Sequence, residues 1–264
     1  MKAPGKIFRS YVTSLLLSFW MVARRVLRNH LGLLLGVVFG FLLPWLLFLK
    51  LAGEVWEHEG FRGDRMILEW LHGHATPGQD GVALWFALAG GPWVMPALEG
   101  LLSLGLLLSR QRRAALYFLL AVGGSGLLNL FAKVMVGRAR PAFWESPAPE
   151  PSYSFPSGHA MAAAALAAAI GILLWNTRAR WLAVLLGMLW ALGMGWSRMY
   201  LGVHFPSDVL AGWLGSLGWV GGLHLLYSRY FVELRRMWGE TRLYWYGQTA
   251  DRLERKNTDS KAPA

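Results

Sequence analysis

This sequence predicts an all-α polytopic membrane protein, and three observations carry the prediction. Hydrophobic residues make up 55% of the 264 positions and charged residues only 16%, well under the quarter usual in soluble domains. Apolar runs of about the 20 residues needed to cross about 30 Å of hydrocarbon recur near 31–50, 83–109, 113–136, 158–175, 181–200 and 207–227. The 26 Lys and Arg residues, finally, divide unevenly between alternate loops. Six transmembrane helices in one domain are therefore expected over 31–228.

The flanks and loops follow in order. Residues 11–23 are apolar but too short to span, and Arg24, Arg25 and Arg28 follow without a small-x-small cleavage site. Residues 1–30 are thus expected to form an interfacial amphipathic segment whose cations meet lipid headgroups. Residues 52–81 are acidic (Glu54, Glu57, Glu59, Asp64, Glu69, Asp80) and carry Met66, Ile67, Leu68, Trp70 and Leu71 at amphipathic spacing. They read as an outer loop or short helix. Residues 142–156 form a Pro- and Ser-rich loop, and 229–264 a polar tail of mixed charge.

Charge sets the orientation. The N-terminal segment, Arg110 to Arg113, Arg178, Arg180 and the tail give one side 19 cations, and the other side keeps 7. Four of those seven are Lys133, Arg138, Arg140 and Arg198. The positive-inside rule then puts both termini in the cytoplasm, so a net charge of +11 is membrane topology here and not a nucleic-acid surface. Several of the 15 Trp residues (Trp45, Trp56, Trp93, Trp175, Trp181, Trp196, Trp213) fall near span ends, as an aromatic belt would. With no Cys there is neither a disulfide framework nor a thiolate metal site.

Three short segments carry chemistry: Lys133 with Arg140-Pro141, then Pro156-Ser157-Gly158-His159, then Ser197-Arg198 with His204 and Asp208. Phosphoryl transfer needs cations and donors around three oxygens, a nucleophile, and an acid for the leaving oxygen. Lys133 and Arg140 stand two helical turns apart, about 10 Å along one face, if the third span continues to Pro141. Arg138 would lie off that face, as an interfacial arginine. Ser157 and Gly158 open the fourth span, where backbone N–H groups and the helix dipole favour an anion. Asp208, four residues past His204, can orient that imidazole; by this reasoning alone the two histidines remain interchangeable. Glu99, inside the second span, is set to line a polar cavity or to join a hydrogen bond within the bundle. His72 and His74 lack supporting carboxylates at metal-ligand spacing.

The order K-x6-R-P, P-S-G-H, S-R-x5-H-x3-D resembles the tripartite signature of the type 2 phosphatidic acid phosphatase and vanadium haloperoxidase superfamily at all eleven fixed positions, over residues 133–208. The resemblance implies His204 as the nucleophile that forms a phosphohistidine, Asp208 as its orienter and His159 as leaving-group acid. It also implies that Lys133, Arg140, Ser157, Gly158 and Arg198 hold the phosphoryl oxygens. The implied protein is a lipid phosphatase of the inner membrane, without metal or cofactor. Its site would face the periplasm, and its substrates would be lipid phosphates or pyrophosphates such as undecaprenyl pyrophosphate, phosphatidylglycerophosphate, phosphatidic acid or a lipid A phosphate. A phosphotransferase passing the group to another lipid would use the same intermediate. The haloperoxidase branch is expected to be soluble, and a transporter would have no use for both histidines with the aspartate. The membrane lipids themselves are the other expected partner.

Overall fold

The computed structural model describes residues 31–58 and 60–227, so the N-terminal interfacial segment and the tail beyond Tyr227 lie outside the described residues. Eight helices are described: α1 (Leu31–Glu57), α2 (Arg62–Gly73), α3 (Pro77–Ala89), α4 (Val94–Leu108), α5 (Arg112–Val136), α6 (Gly158–Leu173), α7 (Arg180–Tyr200) and α8 (Pro206–Tyr227). There is no strand among the described residues. The chain divides into Met1–Gly222 and Leu223–Ala264; of the second unit only the last turn of α8 is described.

Four helices, α1, α5, α7 and α8, are long and apolar enough to cross a membrane. The region expected as one span near 83–109 is instead two helices, α3 and α4, bent by 53°. The cause is local. Thr76 caps α3 by accepting from the Gln79 amide and Pro77 takes its first turn, which starts the helix six residues early, while Gly90-Gly91-Pro92 interrupts it at the other end. If the bent pair is one span the total is five, and α6, at 16 residues, is a shorter apolar helix. The first span runs on to Glu57, and the amphipathic stretch becomes α2.

Helix α6 is the core. Ala160, Ala163, Ala165 and Ala169 are fully buried, and these small side chains let α5 and α7 pack closely on either side. Close approach is most demanding at Gly221 of α8, where a Cβ would overlap the Gly40 carbonyl oxygen of α1, and at Gly212 a Cβ would stand 2.8 Å from the Ser157 carbonyl oxygen. Polar stitches join the helices inside: Ser125 of α5 meets Ser216 of α8 at 2.9 Å, and the Ser216 hydroxyl donates to the Met161 carbonyl of α6 at 2.7 Å. The lipid-facing sides of α1, α4, α5 and α7 carry exposed Leu, Val, Phe and Met. Of the seven tryptophans expected at a belt, Trp56, Trp93, Trp175 and Trp181 are exposed, Trp93 to 86%. Trp45, Trp196 and Trp213 pack inward against Phe48, Tyr200 and Gly195.

The C-terminal ends of α1, α5 and α7 and the N-terminal ends of α6 and α8 meet at one pole of the bundle. Helix α3 starts at that pole, where its N-terminal end is pinned, and runs antiparallel along α7, Ala83 meeting Ser197 and Phe86 meeting Gly193 and Trp190. The Tyr200 hydroxyl at the end of α7 donates to Asp80 at 2.5 Å and accepts from the Thr76 amide at 3.2 Å. The loop 137–157 covers the same pole.

Candidate active site

All three motif segments converge under this loop. Lys133 occupies the last turn of α5, but that helix does not continue to Pro141. It ends at Gly137, which takes the left-handed conformation (φ 64°) and donates its amide to the Lys133 carbonyl, a glycine stop that no side chain would adopt cheaply. Arg140 is therefore not on the helix face of Lys133. It reaches the site from an extended segment, where Ser152 and Tyr153 of the loop accept from its guanidinium.

The centre of the site holds a carboxylate, that of Glu150. Its Oε2 lies 2.6 Å from Arg140 Nη2 and 3.7 Å from His204 Nε2, and its Oε1 lies 3.1 Å from Arg198 Nη1 and 3.3 Å from His159 Nδ1. Two arginines and both histidines thus surround one anion, and its two oxygens stand between the imidazoles. Burial alone would raise this carboxyl. When the ring of His204 is protonated, its hydrogen bond and charge, with the charges of His159 and Arg140, outweigh burial and hold Glu150 well below the usual carboxylate range.

The other expected residues take the following places. Arg198, 1% exposed, also donates to Ser197 at 3.1 Å, and the Ser197 hydroxyl is tied to the Ala83 carbonyl of α3 at 2.8 Å. His159 directs Nε2 to the Ala87 carbonyl of α3 at 3.3 Å, which leaves Nδ1 facing the seat. Ser157 is the N-cap of α6, its hydroxyl accepting from Ala160 and its amide donating to the Asp208 carbonyl at 3.1 Å. Gly158 meets the Asn129 side chain, which a Cβ would approach to 3.1 Å. Lys133 points to Ser152 and the Tyr153 carbonyl, beside Glu150 but bonded to the loop that carries it.

His204 lies in the short connection between α7 and α8 and is fully buried. Arg140 Nη1 approaches its Nε2 at 3.0 Å. A guanidinium can only donate, so this contact assigns the ring proton to Nδ1. That nitrogen faces Ser154 Oγ at 3.4 Å and Asp208 Oδ2 at 3.6 Å, and Ser154 in turn donates to Asp208. Nε2 keeps its lone pair on the seat side, where Arg140 Nη1 donates to it in this arrangement.

Asp208 is held from behind by a residue the sequence reading set aside. Arg138 does not face lipid headgroups. It is buried, with Nη1 on Asp208 at 2.5 Å and on Ser207 at 2.8 Å, Nη2 on Asp64 at 2.8 Å, and its guanidinium 3.9 Å over the Phe205 ring. Asp64, from α2, also accepts from the amide and hydroxyl of Ser207. Arg138, Ser154, Asp64 and Glu150 are site residues that sequence reasoning missed; the one signal available was Gly137, a helix stop ahead of Arg138.

Two cavities reach Glu150. One, of about 470 Å³, runs between the α3–α4 break, α5 and α6, and is lined by Pro92, Met95, Glu99, Asn129, Lys133 and His159 among others. This is where Glu99 lies. The second, of about 730 Å³, opens beside Lys133, Arg140 and residues 150–153. His72 and His74 take no part: His72 stacks on Trp144 at 4.0 Å and His74 bonds the Trp70 carbonyl.

Residues 114–232 match the PAP2 superfamily. Undecaprenyl-diphosphatase of Sulfolobus acidocaldarius is 32% identical over 114 residues, covering 41% of this chain and 53% of that protein. Phosphatidylglycerophosphatase B of Bacillus subtilis is 38% identical over 123 residues, covering 43% and 57%. The chain thus spans little more than half the length of these curated relatives. Among solved structures, the transmembrane PAP2-type phosphatidylglycerolphosphate phosphatase from Bacillus subtilis superposes with a TM-score of 0.62 at 29% identity, covering 72% of this chain and 94% of that one.

Proposed function

Because this chain carries a PAP2 superfamily domain over residues 114–232, we infer that it is a membrane lipid phosphatase acting on lipid phosphomonoesters or pyrophosphates through a phosphohistidine. One observation carries the reading: Arg140, Arg198, His159 and His204 close around a single anionic group. Cations and imidazoles arranged in this way match a phosphoryl group with its nucleophile on one side and its acid on the other.

In this mechanism His204 Nε2 attacks phosphorus, and the charge gained by the ring is stabilised through Ser154 and Asp208. Arg140 and Arg198 hold the equatorial oxygens, with Lys133 and the N-terminal end of α6 at Ser157 and Gly158 beside them. His159, as the imidazolium with its Nε2–H on the Ala87 carbonyl, gives its Nδ1 proton to the departing oxygen and is left neutral. Water then attacks the phosphohistidine, assisted by His159 as base. The apolar cavity between α4, α5 and α6 suits a lipid tail, with the phosphate at the Glu150 end. A second lipid in that cavity instead of water would make the protein a phosphotransferase.

The positive charge that a metal would supply comes from side chains, so purified protein in detergent should release phosphate from a panel of lipid phosphates and pyrophosphates at the same rate with and without EDTA. Turnover lost to chelator and restored by Mg²⁺ would overturn this.

Six spans, with α3–α4 and α6 each crossing, put both termini in the cytoplasm and the pole bearing the site outside, so the substrates would belong to the outer leaflet. The 19 to 7 division of cations supports this orientation. Glu145→Cys, in the exposed loop, should react with an impermeant thiol reagent in intact cells and Asn176→Cys should not. The opposite labelling would invert the topology and the choice of leaflet.

A further inference from the structure

We propose that Glu150 is an internal competitor for the phosphoryl seat: its carboxylate occupies the position that a tetrahedral oxyanion takes between His204 and His159, and every phosphoryl ligand must displace it. The proposal rests on the phosphoryl-transfer reading of this site. Glu150 contacts the groups assigned to the substrate, Arg140 at 2.6 Å and Arg198 at 3.1 Å, and its two oxygens face the nucleophile nitrogen at 3.7 Å and the acid nitrogen at 3.3 Å. An oxyanion bound to the same four groups would overlap it.

The presentation is built into the chain. Glu150 lies between Pro149 and Pro151, and a proline on each side restricts the backbone to extended geometry, so the side chain is aimed inward by a stiff segment. The segment is anchored two residues on, where Ser152 bonds both Lys133 and Arg140. Yet the seat is not sealed over Glu150, whose side chain remains 21% exposed and borders the outer cavity. It can leave towards water while Arg140 and Arg198 stay in place.

The consequence concerns affinity. A seat held by an internal anion for most of the time lowers the apparent affinity of every phosphoryl ligand by the fraction of time it is open. Inorganic phosphate and other small oxyanions have nothing else to bind with, so they are held weakly and leave. A lipid phosphate recovers affinity by burying its tail in the cavity between α4, α5 and α6. Glu150 would therefore limit inhibition by the released phosphate without a separate gate.

The test is inhibition of full-length protein in detergent by orthovanadate and by inorganic phosphate. Glu150→Ala removes the anion, and Glu150→Asp keeps the charge on a side chain one methylene too short to reach the seat. Both should be inhibited about tenfold more tightly than wild type, corresponding to a seat open about a tenth of the time. Where a variant turns over too slowly to assay, the rise in thermal midpoint with vanadate reports the same affinity and should be larger than in wild type. Unchanged or weaker vanadate binding in both variants would overturn the proposal. So would a Glu150→Asp protein that matches wild type while Glu150→Ala binds tighter, since charge repulsion and not occupancy would then be the cause. A wild-type protein that releases phosphate from no lipid and ignores vanadate would instead refute the underlying reading of the site.

Discussion

His204→Ala is expected to lower turnover of every lipid phosphate by about 10⁴-fold, because it removes the nitrogen to which the covalent intermediate is assigned. The neighbouring substitution has a different signature. His159→Ala removes only the acid, worth about 10² to 10⁴-fold, and its effect should depend on the leaving group. The lipid phosphate expelled from a pyrophosphate is less basic than the alkoxide expelled from a monoester, and needs less help. His159→Ala should therefore retain relatively more activity on a lipid pyrophosphate than on phosphatidic acid, measured as kcat/KM for the two substrates. Equal losses would mean that His159 acts as a phosphate ligand and not as the acid. The geometry supports this proposed division of labour: Ser154 and Asp208 stand behind His204, whereas the Ala87 carbonyl stands behind His159.

Arg138→Ala should be the most destabilising single change near the site, by about 3–5 kcal/mol. It strips the cation from between two buried carboxylates, Asp64 and Asp208, and leaving a buried charge unpaired carries a penalty of that size. Activity should fall as well, because Asp208 loses the contact that fixes its Oδ1 and with it the orientation of His204. Arg138→Lys should recover only part of the stability, since an ammonium cannot span both carboxylates as the guanidinium fork does. Thermal unfolding in detergent is the measurement. An Arg138→Ala protein as stable as wild type would show that the Asp64–Arg138–Asp208 chain is incidental to the fold.

The legible part of this protein was local. Fixed spacings named His159, Arg198, His204 and Asp208, and composition named the apolar helices, because both signals lie within a few residues of each other. Arg138 was misread for a local reason too: carrying α5 through to Pro141 placed it on a lipid-facing side, whereas the left-handed Gly137 ends the helix first and turns the chain inward. The straight span expected at 83–109 is bent for a similarly local reason, at Gly90-Gly91-Pro92. Asp64 and Glu150 were beyond the reach of spacing. Asp64 arrives on α2 from 74 residues before Arg138, and Glu150 sits in a loop whose inward aim depends on where α5 stops and α6 begins. Its two flanking prolines announced stiffness but not direction.

The central claim is that His204 carries the phosphoryl group during turnover. Wild-type protein mixed with a lipid phosphate labelled in its terminal phosphoryl group, quenched within a turnover under alkaline denaturing conditions and mapped by mass spectrometry, should show one acid-labile phosphate on the peptide containing residue 204. Label on no peptide, or on a peptide lacking His204, would contradict the account.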